Sequence, residues 1–181
     1  QKLDEIKVWD TISMERYRDV NYELFQKNTS ASYTARPGKY TLENTTVWTY
    51  LPSTIGLCIA RILDYNYVTM FMFARWANLL VATFLIVIGI RKCPVGKRGM
   101  ITIALFPMFI QQSGSCSYDA LILAGSVVFI GYSMHLLLEK DISVFDLLIV
   151  FASGAFVLAQ KKGVYLPLIL IALLMPQLWK S

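Results

Sequence analysis

The chain has 181 residues, of which 56% are hydrophobic and 16% charged, with a formal net charge of +5. Its mean hydropathy of +0.51 exceeds what a soluble domain of this size needs and points to an integral membrane protein. The charge does not suggest a nucleic-acid partner: residues 1–50 hold seven acids and seven bases, so the excess lies in residues 51–181, mostly in 91–98 and at Lys161-Lys162. Cys58, Cys93 and Cys116 form an odd set without metal-ligand spacing, which excludes a disulfide framework and reads as apolar filler.

Residues 1–50 are polar and rich in Tyr and Trp, with no apolar run long enough to cross a bilayer. They read as an extracytoplasmic loop region on the membrane face, with a weak amphipathic pattern over 3–27 and a loop over 29–46. Asn28-Thr29-Ser30 and Asn44-Thr45-Thr46 match the N-glycosylation pattern, a tripeptide common by chance. Residues 51–66 form a juxtamembrane helix, since the apolar run from Tyr50 to Leu63 is too short to span. Residues 67–181 form a transmembrane bundle. Tyr67 to Ile90 is the first clear span, and it runs into Arg91-Lys92-Cys93-Pro94-Val95-Gly96-Lys97-Arg98. Four positive charges in eight residues between apolar runs mark a short cytoplasmic loop.

That loop orients the rest. Gly99 to about Ser117 returns outward, with Pro107 as a tolerated kink. Asp119 to Leu138 goes in and turns at Glu139-Lys140-Asp141. Val144 to Gln160 comes out, and Val164 to Leu178 goes in, ending on Trp179-Lys180 as an interfacial anchor. The expected fold class is an all-α polytopic membrane protein of about five transmembrane helices with its N-terminus outside. A polar N-terminal loop on that side needs an exporting segment, so the chain is expected to be a fragment of a longer protein.

Counting residues from the basic loop brings several polar groups to the outer boundary. Arg75 lies in the outer third of its helix, and Asn78 follows one turn deeper on the same face. Gln111, Gln112 and Ser113 lie near the end of the next segment, Asp119 opens the helix after it, and Lys161-Lys162 sit where a later helix emerges. Charge at membrane depth usually faces a partner or a wet cavity. One outer cavity holding an anion accounts for both Arg75 and the Lys pair, which departs from the positive-inside pattern. Plainer alternatives stand beside it. Asp119 complements the positive end of its helix with Ser117 as N-cap, Arg75 snorkels, and the lysines anchor to headgroups. His135 is a lone imidazole without a catalytic role, and Asp146 is a helix-start acid at the inner surface.

Four segments carry a family resemblance. They are Glu43-Asn44-Thr45 to Tyr50-Leu51-Pro52 with Gly56 and Arg61; Ala74-Arg75-Trp76-Ala77-Asn78-Leu79-Leu80; Pro107-Met108 through Gln112-Ser113 to Ser115-Cys116-Ser117-Tyr118-Asp119-Ala120; and Lys162-Gly163-Val164-Tyr165-Leu166-Pro167-Leu168. Over roughly residues 43–178 their order and spacing resemble the bacterial predicted membrane proteins of domain of unknown function 2142 (DUF2142), with Gly163 where a Pro is expected. That family is similar to the GT-C class of glycosyltransferases, which take sugar from a polyprenyl-phosphate donor on the outer membrane face. The class's usual catalytic acid, just after a first transmembrane helix, has no counterpart in this sequence.

The resemblance implies a multi-pass protein of the bacterial inner membrane that transfers sugar from a polyprenyl-phosphate-linked donor to a cell-surface glycan acceptor, among membrane lipids. Asp119 then serves as a supporting acid or base, a metal ligand or an acceptor for sugar hydroxyls. Arg75, Lys161 and Lys162 bind the lipid phosphate, and Asn78, Gln112, Ser115 and Tyr165 line the cavity. No resident metal site is expected, and a divalent cation is the one cofactor left open. A transporter or flippase of lipid-linked saccharide, and a non-catalytic subunit of a polysaccharide assembly complex, are the competing readings. The large outer loop and the lack of an internal repeat weigh against the transporter.

Overall fold

The computed structural model describes residues 22, 24–27, 47–139 and 143–160. Among them the chain is helical, without strands; its one isolated bridge pairs Lys27 with Tyr65. A 3-10 turn over Val47–Tyr50 leads into α1, Leu51–Ile62. Pro52 sits at its start, where a missing N–H costs nothing. Asp64 takes a left-handed φ of 56° and ends the turn after α1. Asn66 then caps α2, Tyr67–Lys92, its side chain accepting from Val68 N at 2.6 Å. At 26 residues, α2 is roughly 39 Å long, enough to cross a bilayer.

The segment expected to return as a single helix from Gly99 to Ser117 is instead broken in two. α3 covers Lys97–Ala104 and α4 covers Pro107–Ser113. Pro107 is the cause. It cannot donate a backbone hydrogen bond, and its ring pushes Phe106 to an extended backbone with ψ 134°. The broken segment still carries the chain between the two ends of the bundle, because α3 starts beside the end of α2 and Gly114, just past α4, lies against Arg75. α5, Asp119–Leu138, therefore runs parallel to α2. α6, Val144–Ala159, returns antiparallel, opened by Ser143 Oγ accepting from Phe145 N at 3.3 Å. The expected crossing at Val164–Leu178 and most of residues 1–50 lie outside the described residues.

Among the described residues two helices, α2 and α5, are long and apolar enough to cross a membrane. Only 22% of the most apolar window of α2 is buried within the described structure, although its hydropathy is 1.9. Phe71, Trp76, Leu80 and Phe84 point outward. An apolar helix left this bare has the surface of a membrane span, not of a soluble core.

The opposite face of α2 is made of small residues: Ala74, Asn78, Ala82 and Gly89 are buried there. It packs on α5 in the largest helix–helix contact among the described residues. A Cβ at Gly131 would run into the Gly89 carbonyl, and one at Gly89 would lie 2.7 Å from Val127 O. Ala82, Ile86 and Ala124 fill the middle, with Ala104 and Phe109 of the broken segment against them. Close backbone approach through small residues is the usual solution for helices in lipid, where dispersion replaces the hydrophobic drive.

At the basic end a polar tie joins three helices. Lys92 Nζ lies 2.8 Å from Asp146 Oδ1, and His135 Nε2 lies 3.5 Å from Oδ2. The same Nζ stands 5.6 Å from the Tyr132 ring centre. Asp146 starts its helix as expected, yet its side chain is only 6% exposed, so it is also the acid that fixes α6 to α2.

Gly131→Ala should lower stability by about 1–3 kcal/mol, since overpacking forces the two backbones apart. Gly99→Ala, with nothing within 4 Å of the new methyl, should cost nothing. Thermal melting of both variants in nanodiscs checks the pair; equal melting temperatures would contradict the close approach.

Candidate functional site

The polar residues gather at the end of the bundle away from Lys92, around the turn between α4 and α5. The turn is built from its own hydroxyls. Ser115 Oγ donates to Gln112 O at 2.7 Å, and Ser117 N donates to Ser115 Oγ at 3.4 Å. Ser117 Oγ accepts from Asp119 N at 3.2 Å and donates to Asp119 Oδ2 at 3.1 Å. The N-cap position of α5 itself falls on Tyr118, so Ser117 acts one residue earlier than expected. Gln112 Nε2 reaches across from α4 to the same Oδ2 at 3.1 Å. The Asp119 carboxylate is thus held from two sides, at the start of a helix whose N–H groups favour an anion.

Two side chains of α2 brace the turn from behind. Arg75 Nε donates to Gly114 O at 2.9 Å, and Asn78 Nδ2 donates to Ser115 O at 2.6 Å. They are three residues apart, on one face and one turn. Asn78 is fully buried, and its Oδ1 has no partner; the Ser113 hydroxyl is in the same position. Cys116 lies in this turn too. Burial pushes its thiol above the usual range, against the opposing pull of the Arg75 guanidinium and the Ser53 hydroxyl of α1. At the same end Phe25 N donates to Thr69 Oγ1 at 2.8 Å, and the Phe25 ring packs on Tyr65 and Trp76.

In front of the turn lies an open cavity of about 410 Å³. Its walls are Ile103, Phe106, Met108, Phe109 and Leu123, with Gln112 and Asp119 as its polar end. Of the residues expected at the site, Gln112 and Asp119 meet on this cavity. Arg75, Asn78 and Ser115 do not line it; they hold the turn behind it, where Arg75 Nε, Asn78 Nδ2 and Ser115 Oγ each donate to a backbone carbonyl. Lys161, Lys162 and Tyr165 lie outside the described residues. Among the described residues no group of three His, Cys, Asp or Glu side chains could hold a metal ion. Sequence reasoning missed the apolar walls. Pro107 was the available signal, since the break it causes opens the face that Phe106 and Met108 border.

Asn78→Ala should cost about 1–3 kcal/mol, because it leaves the half-buried Ser115 carbonyl without its Asn78 partner. Thermal melting measures this, and unchanged stability would show that Asn78 does not brace the turn.

The family model described as a predicted membrane protein (DUF2142) matches residues 21–180. No curated protein and no solved structure matches the chain. With nearly its whole length matched, the chain belongs to the DUF2142 family of predicted membrane proteins.

Proposed function

We propose that this protein is a membrane glycosyltransferase of GT-C type, acting at the extracytoplasmic boundary of the bacterial inner membrane. It moves a sugar from a polyprenyl-phosphate donor to a cell-surface glycan. The observation that carries the reading is the Asp119 carboxylate, held by Gln112 and Ser117 at the polar end of an apolar-walled cavity. That is the layout an amphiphile with a hydroxylated head requires.

Orientation follows from the basic loop. With residues 91–98 in the cytoplasm, the four traverses made by α2, the α3–α4 segment, α5 and α6 leave the Asp119 turn outside. The span from Arg75 to Lys92 is about 26 Å along the helix, close to the hydrocarbon thickness of roughly 30 Å. The Phe25, Tyr65 and Trp76 rings at the same end suit an interfacial belt.

In the transfer, an acceptor hydroxyl attacks the anomeric carbon and its bond to the phosphate oxygen breaks. The polyprenyl phosphate leaves with the electron pair, and the hydroxyl proton passes to a base. Asp119 holds sugar hydroxyls or takes that proton. Cations stabilise the leaving phosphate. Lys162 and Lys161 are candidates, and so is Arg75, whose Nε holds Gly114 O.

The test is transfer by the full-length protein in proteoliposomes supplied with labelled polyprenyl-phosphate sugars. Asp119→Asn should lower turnover at least about tenfold with normal expression. Lys162→Ala should also lose about tenfold, the worth of one charge-assisted contact. Lys162→Arg should retain more, and Lys161→Ala should lose least, because the side chains of adjacent residues leave the backbone in different directions. Movement of intact donor across the bilayer without bond cleavage would replace the transferase reading with the flippase.

A further inference from the structure

α1 is too short to cross a membrane, so its packing on α2 decides where it lies. Ser53, Gly56 and Ala60 form one buried stripe along it. A Cβ at Gly56 would lie 2.5 Å from Phe73 O and 2.9 Å from Ala74 Cα, so the two backbones touch there. Ser53, one turn nearer the start, lies beside Cys116, in the turn that Asn78 braces. The two helices are thus an antiparallel hairpin. Counting back from the Gly56 contact sets Leu51 level with Asn78 and Leu79, roughly 5 Å below Arg75 along the helix axis.

The chain stands higher both before and after this point. Asn66 N donates to Gln26 O at 3.0 Å, and Lys27 bridges Tyr65. Residues 26–27 and 65–66 therefore meet at the end of the bundle away from Lys92, while Leu51 lies more than a turn below Arg75.

The open flank of α1 suits hydrocarbon. Leu51, Ile55, Leu57 and Ile59 are exposed on it. Residues 44–60 carry no charge, and the first charges after them, Arg61 and Asp64, stand at the Tyr65 end. Thr54 is the exposed hydroxyl of the flank, and its Oγ1 donates to Tyr50 O at 2.9 Å, which satisfies it without water. Pro52 removes one of the N–H groups that a helix start leaves unpaired, groups that are costly where there is no water. A helix in a solvated loop carries charge on its open face.

We infer that residues 47–62 are a re-entrant segment, which enters the outer half of the bilayer and leaves on the same side. Trp48, Leu51 and Ile55 lie against the acyl chains of outer-leaflet phospholipid, and Ile59 and Ile62 lie at headgroup level. The turn between α4 and α5 is then backed by a helix embedded in lipid. The inference rests on the membrane placement of α2 and needs no sugar transfer.

The test uses the unaltered full-length protein in phosphatidylcholine nanodiscs containing one of two photoreactive phospholipids. One carries a diazirine halfway down an acyl chain, the other on the headgroup. Adducts are mapped by mass spectrometry. The acyl-chain probe should favour residues 48–55 and the headgroup probe residues 59–63, a reversal of preference along one helix. Gly56→Leu, whose side chain drives α1 off Phe73, should erase the reversal. Cys58→Leu on the exposed flank should keep it. The unaltered protein decides the matter by itself, so a Gly56→Leu variant that fails to fold leaves the test intact. A helix flat on the surface would give both ends the same preference. A solvated loop, or a segment of protein covering the flank, would leave residues 48–55 without acyl-chain adducts. Either result would overturn the inference.

Discussion

Everything at the site depends on how closely α2 and α5 approach. Gly89 and Gly131 let the two backbones touch, with Ala82 and Ala124 between them and the turn above. The contact makes the helices parallel neighbours at fixed height, and so brings Arg75 and Asn78 level with the 114–115 turn. A larger residue at the crossing would separate them, and the two hydrogen bonds to Gly114 O and Ser115 O would lengthen together. In lipid there is no water to replace such bonds, so packing and polar bracing stand or fall as one.

The bracing has a purpose in this account. A carboxylate at the edge of a hydrocarbon layer must be held, or it will turn to water. Asp119 is held by Gln112 and Ser117, Gln112 and Ser117 are tied through Ser115, and Ser115 is tied to Asn78 of another helix. Each link is an ordinary hydrogen bond, worth little net by itself. As a chain in low dielectric they set one rotamer for the acid and one shape for the cavity end. The tie of Lys92, Asp146 and His135 does the corresponding work at the other end, where α6 is anchored.

Much of the frame was legible in the sequence. The basic run 91–98 and the flanking apolar stretches located α2 and α5 to within two residues, because length and hydropathy dominate in helices bound for lipid. The proximity of Gln112 to Asp119 was legible too, since both lie near one turn. The part played by Arg75 was not. A buried arginine reads as a ligand for an anion, and nothing in the sequence says that its Nε is committed to the Gly114 carbonyl. The cavity walls were illegible for a related reason. Ile103, Phe106 and Met108 look like any apolar residues of a span until Pro107 breaks the helix and turns them around a gap. Asp146 carried the signature of a helix start, which hid its pairing with a lysine more than fifty positions earlier.

One placement is central to the transferase reading: the hydroxylated head of the sugar-carrying lipid rests on Gln112 and Asp119. The most direct measurement is a cryo-electron microscopy structure of the full-length protein in nanodiscs with a polyprenyl-phosphate-linked sugar. Sugar density is expected within hydrogen-bonding distance, about 3 Å, of the Asp119 carboxylate, with the lipid chain passing between Phe106 and Leu123. Sugar density at another place, with the cavity filled by protein side chains, would contradict it.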